Sequence, residues 1–202
     1  MEANESTIKS LSIRAEPLWQ TTVRVLENLS HLEIFMGQDM ENIALVFRHA
    51  GQLEHLSILG LDNHMVFTTF ENHPNSLPSL RSFKIVSHYE GWGVDVVIGE
   101  PELLSMAHFL EGRKELRALD LHLWLEEGVS FALFWDLVGQ LPSLEVLGIT
   151  TGFRTFGKAD FLSFAAALPP KLSALRVSAQ WDISAEGENY GCHEFVRVLS
   201  FL

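Results

Sequence analysis

One cysteine, two tyrosines and seven prolines are all that 202 residues contain of those types. Basic residues are also few, fourteen Lys and Arg against twenty-six Asp and Glu. Cys192 cannot form a disulfide within the chain, so cysteine usage points to a reducing setting. The net charge of −12 repels phosphate backbones and anionic headgroups. It argues against nucleic acid and membrane surfaces as partners and favours a basic surface on a protein partner. No uninterrupted apolar run approaches the roughly 18 residues of a membrane span, and the opening MEANESTIKS lacks the apolar stretch of a secretory signal. An intracellular protein, cytoplasmic or nuclear, is expected. The chain also lacks a Gly-rich phosphate loop, GxSxG, CxxC and HExxH, and the neighbours Cys192 and His193 do not by sequence adjacency make a thiolate–imidazole pair. We expect no enzyme, no cofactor and no metal.

What the chain has is a phrase, apolar-x-x-apolar-x-apolar, that recurs as Ile8/Leu11/Ile13, Leu29/Leu32/Ile34, Leu53/Leu56/Ile58, Leu80/Phe83/Ile85, Leu116/Leu119/Leu121, Leu144/Leu147/Ile149 and Leu172/Leu175/Val177. Its last positions alternate with period 2, as in a short strand with one buried face. The period then changes. Ile43, Val46, Phe47 and Ala50, then Phe134, Leu137, Val138 and Leu141, follow i, i+3, i+4, i+7, the apolar stripe of a helix. Phe195, Val198, Leu199 and Leu202 carry the same stripe and predict a helix at the end of the chain. Prolines at Pro78, Pro142 and Pro169 follow a helix's last apolar residue, where a missing N–H and a fixed φ stop it.

Strand and helix alternating at spacings of 21 to 36 residues is the signal of leucine-rich repeats. The expected fold is therefore α/β: a leucine-rich-repeat solenoid of about seven repeats, with a concave parallel β-sheet and helices on the convex side. Residues 1–202 read as a single repeat domain without boundaries, because each unit packs on its neighbours. Both ends look abrupt, Ile8–Ile13 having no polar cap before it, which predicts a fragment or an uncapped array that would self-associate through its ends. The longest unit holds extra material, SHYEGWGVDVVIGE, whose glycines predict a loop or small hairpin.

The phrases LPSLRSFKI, LPSLEVLGI and LPPKLSALRV, irregularly spaced and rich in aromatics, resemble the leucine-rich-repeat regions of fungal F-box-like proteins. The resemblance implies substrate recognition for a ubiquitin ligase, in which an F-box docks on a Skp-type adaptor and the repeats choose the substrate. No F-box is visible before Ile8, so a ligase complex would be reached through a box that this sequence does not contain. The turn asparagine of the commonest repeat consensus is also missing, its places taken by Glu16, Gly37, Leu61, His88, Trp124, Gly152 and Gln180. A stand-alone structural or regulatory scaffold is the alternative.

If the strands are parallel and in register, the residue between the last two apolar positions of each phrase points away from the core. That row is Ser12, Glu33, Ser57, Lys84, Asp120, Gly148 and Arg176, flanked on one side by His122 and its equivalents. Exposed concave sheets are contact surfaces, so Glu33, Lys84, Asp120, His122 and Arg176 are the candidate partner-binding residues. Trp92, between two glycines in the insertion, adds a large apolar anchor. The bland reading is a solvated sheet face with cross-strand pairs such as Lys84 and Asp120. The same register sets His31 beside His55. Two imidazoles could hold a metal, and Glu33 points out two residues along the same strand, but a site wants a third or fourth ligand and the pair is read as an accidental adjacency.

Overall fold

The computed structural model describes residues 7–35, 42–60, 64–87, 97–126, 128–130, 132–156, 158–181 and 193–197. Their strands are β1 (Ser10–Arg14), β2 (His31–Phe35), β3 (His55–Leu59), β4 (Ser82–Val86), β5 (Val97–Ile98), β6 (Ala118–Leu125), β7 (Val146–Phe156), β8 (Ala174–Trp181) and β9 (His193–Arg197). Between them lie α1 (Ala15–Leu18), α2 (Val23–Asn28), α3 (Ile43–His49), α4 (Met65–Asn72), α5 (Glu100–Leu110), α6 (Ala132–Gly139) and α7 (Lys158–Ala167). One sheet runs β1-β2-β3-β4-β6-β7-β8-β9, with β5 also paired to β6. Every pairing from β1 to β8 is parallel.

The last two apolar residues of each phrase fall inside a strand, and from β2 to β7 their side chains are sealed: Leu32, Ile34, Leu56, Ile58, Phe83, Ile85, Leu119, Leu121, Leu147 and Ile149 are all at most 2% exposed. They share one core with Ile43, Val46 and Phe47 of α3 and with Phe134, Leu137 and Val138 of α6. The helices therefore cover one face of the sheet and leave the other open. Four rings, Phe47, Phe70, Phe83 and Phe109, fasten α3, α4 and α5 to β4, with Phe70 stacked on Phe109 at 4.7 Å.

Register is fixed at the strand starts by a repeated backbone device. The carbonyls of Lys9, Ser30, Glu54, Arg81, Arg117 and Glu145 each accept two consecutive N–H groups of the next strand's start, at 2.7 to 3.0 Å. One acceptor shared by two donors leaves no play along the strand. A one-residue slip would also carry every buried apolar side chain to the open face.

α5 shows how the local sequence builds a helix. The Gly99 N–H donates to Glu102 Oε2 at 3.0 Å, Pro101 fits the first turn, where its missing N–H costs nothing, and Leu103, Met106, Phe109 and Leu110 are buried. Beyond its end, Arg113 turns back into the molecule. Its guanidinium lies 3.9 Å over the Phe109 ring and donates to the carbonyls of Phe109, Leu77, Pro74 and Ser76.

Two expectations are corrected. Phe195 belongs to a strand and not to a helix: β9 runs antiparallel to β8, pairing Val177 with Phe195 and Leu175 with Arg197. The open edge of β8 offers a row of backbone donors and acceptors, and filling it outweighs a stripe that begins with a single apolar position inside the strand. Val198, Leu199 and Leu202 lie outside the described residues. In the first unit, the strand starts at Ser10, and Ile8 is 37% exposed instead of buried. Most of the insertion, Trp92 included, lies outside the described residues. Its end forms β5, which adds parallel pairs to Trp124 and Leu125.

Candidate functional site

The open face carries the expected row. Register pairs Ser12 with Glu33, Glu33 with Ser57, Ser57 with Lys84, Lys84 with Asp120, Asp120 with Gly148 and Gly148 with Arg176. The structure gathers four of the candidate residues into one cluster. Asp120 Oδ1 lies 2.7 Å from Arg176 Nη2 and 3.2 Å from His122 Nε2, and Oδ2 lies 3.6 Å from Lys84 Nζ. Arg176 Nη2 also touches His122 Nε2. The side chains are partly open to solvent, from 26% exposed for His122 to 42% for Arg176.

Asp120 and Arg176 stand on β6 and β8, with β7 between them. They meet because the intervening residue is Gly148, where a Cβ would come 2.1 Å from Asp120 Oδ1 and 3.5 Å from Arg176 Nη2. Glycine makes a notch in the row, and the carboxylate occupies it. Burial alone would raise the Asp120 carboxyl; the His122 hydrogen bond and charge, with Arg176 and Lys84, outweigh it and hold the group below its ordinary value.

Glu33 is not part of the cluster. It accepts a 2.7 Å hydrogen bond from the Ser12 hydroxyl and is separated from Lys84 by Ser57 of β3. His31 and His55 stack at 4.1 Å with an 11° angle between ring planes, and the Ser30 hydroxyl holds His31 Nδ1 at 2.9 Å. Among the described residues no three His, Cys, Asp or Glu side chains converge as a metal site. A crevice between α5 and α6, lined by Glu100, Leu103, Leu104, Ala107, Ser130 and Phe134, has about 10 Å³, room for no more than one water.

No family model matches the chain, and no curated protein does. Among the described residues no helix is long and apolar enough to cross a membrane.

Sequence reasoning placed Gly148 in the row without seeing its use, because it compared neighbouring strands only. The signal was available: a glycine flanked in register by an acid and an arginine lets opposite charges meet across a strand.

Proposed function

We propose that the chain is a leucine-rich-repeat solenoid whose open, concave sheet face binds a protein partner, and that it serves as the substrate-choosing repeats of an F-box-like ubiquitin-ligase component. It acts by binding inside the cell, without catalysis or a cofactor. The observation that carries the reading is the cluster of Lys84, Asp120, His122 and Arg176, four polar side chains from three strands held together on the face that the helices leave open. Rigid strands place such groups within a fraction of an ångström, which is what recognition by a preorganised surface needs. The coincidence of each repeated phrase with a strand supports the repeat assignment. The ligase role draws on the resemblance of LPSLRSFKI, LPSLEVLGI and LPPKLSALRV.

Affinity capture with the full chain tests both parts. Captured proteins are compared between the wild type, Asp120→Asn with Arg176→Gln, and Arg48→Glu on the exposed side of α3. The binding reading expects the double variant to lose a partner that the α3 variant keeps; the reverse pattern moves the site to the helices. The ligase role further expects an F-box-like segment in the upstream reading frame and, when that segment is joined to this chain, recovery of a Skp-type adaptor. Partner capture without either leaves the stand-alone scaffold.

A further inference from the structure

We infer that the cluster is a receptor for a side-chain carboxylate carried by an extended, mildly acidic segment of the partner, with Asp120 as its resident occupant. The inference rests on the open face being the binding surface and goes on to name the chemistry of what binds.

The first argument is a shortage of acceptors. Lys84 brings three donors and Arg176 five, yet among the side chains described on β1 to β8 they share one carboxylate, Asp120. His122 makes the shortage acute. Its Nε2 lies against both Asp120 Oδ1, which can only accept, and Arg176 Nη2, which can only donate. One ring nitrogen cannot do both in one protonation state. A second carboxylate above the cluster would accept from Arg176 and leave His122 to Asp120. It would do so bidentately, the geometry in which arginine binds carboxylates best.

Charge gives the second argument. Lys84 and Arg176 exceed Asp120 by one positive charge even without any from His122, on a chain whose net charge is −12. The cluster is thus a local cationic spot on an acidic molecule. The surrounding negative charge acts against long acidic tracts, while one carboxylate in direct contact is governed by groups within a screening length of about 8 Å. The segment that fits carries one or two acids and no run of them.

Shape supplies the third. One position earlier in the alternating row, the open face of β6, β7 and β8 presents Ala118, Val146 and Ala174, with Val146 44% exposed. Small side chains there, and a glycine beside them, let another backbone approach closely. On an extended chain, residues two apart share a face, so an acid flanked at two positions by small apolar residues matches both the cluster and this strip.

The test uses fluorescein-labelled peptides of sequence Ser-Val-Thr-Xaa-Thr-Val-Ser, with Xaa as Glu, Gln or Lys, titrated with the full chain and read by anisotropy. The Glu peptide is expected to bind at least about tenfold more tightly than the Gln peptide, the size of a charge-assisted hydrogen bond. Arg176→Gln should abolish that preference. Asp120→Asn, which removes the resident anion at constant shape, should tighten the Glu peptide several-fold, with thermal melts showing that both variants stay folded. Equal binding of the three peptides, or none, overturns the inference. Tighter binding of the Lys peptide, lost in Asp120→Asn, also overturns it while leaving the open face as the binding surface. Failure of the face itself is read separately, from capture that survives the Asp120 and Arg176 substitutions.

Discussion

Arg113 donates a 2.7 Å hydrogen bond to the carbonyl of Leu77, a residue 36 positions earlier whose φ of 52° lies in the left-handed region. A leucine adopts that conformation at a cost of about 1–2 kcal/mol, and the arginine helps hold it there. With its other bonds to Ser76, Pro74 and Phe109, one guanidinium ties the end of α5 to the loop before β4. Burial lowers its pKa to about 10, which leaves it charged at neutral pH. Arg113→Ala should cost about 2–4 kcal/mol in urea unfolding, since several carbonyls lose a charged donor at once. Arg113→Lys should recover less than half of this, because an ammonium cannot fork to separate carbonyls.

Gly148 controls the charged cluster without being charged. In Gly148→Val the new Cβ must displace the Asp120 carboxylate, while the backbone, whose φ is outside the left-handed region, accepts a β-branched residue. A double-mutant cycle on Asp120 and Arg176 should give a coupling of about 0.2–1 kcal/mol in the wild type and near zero in the Gly148→Val background. Equal coupling in both backgrounds would mean that the two side chains do not meet over the glycine.

Leu119→Asp and Leu147→Asp should each abolish cooperative folding. Both leucines are fully buried on adjacent strands in direct register, and an unpaired carboxylate there costs several kcal/mol. A melting temperature equal to that of the wild type in either variant would refute the assignment of the sheet's buried face.

The stacked histidines make stability depend on pH. Burial, then charge repulsion from His31, holds His55 below the ordinary value of 6.5, with Glu54 opposing and Arg81 adding to the effect. The folded state then binds the proton less readily than the unfolded chain does. This contribution is full above about pH 6.5 and is lost as pH falls below it. Melting temperatures measured from pH 7.5 to 5.0 should fall less in His55→Gln than in the wild type; identical profiles would remove the stack as a cause.

Much of the open face was legible because one short phrase sets two things at once. Period-2 alternation assigns Leu119 inward and Asp120 outward, and parallel in-register pairing then carries that assignment from strand to strand, so His31 meets His55 and Lys84 meets Asp120 as read. Relationships that skip a strand or depend on reach were not legible. Arg176 finds Asp120 only through the notch at Gly148, and Arg113 has no periodic pattern to announce that it serves a loop far upstream. The strand at His193–Arg197 was misread because five residues are too few to separate the two periods, and what decides between them is the free edge of β8, a tertiary fact.

Gly148 also bears on how this surface can change over generations. Changing the second base of a glycine codon yields alanine, valine or an acidic residue, and each of these fills the notch. One nucleotide is thus enough to part Asp120 from Arg176 or to add a negative charge between them. The core behind is specified by the buried leucines and the shared carbonyls at the strand starts, neither of which involves that side chain. The charged groups displayed on this face can therefore change quickly while the scaffold stays as it is.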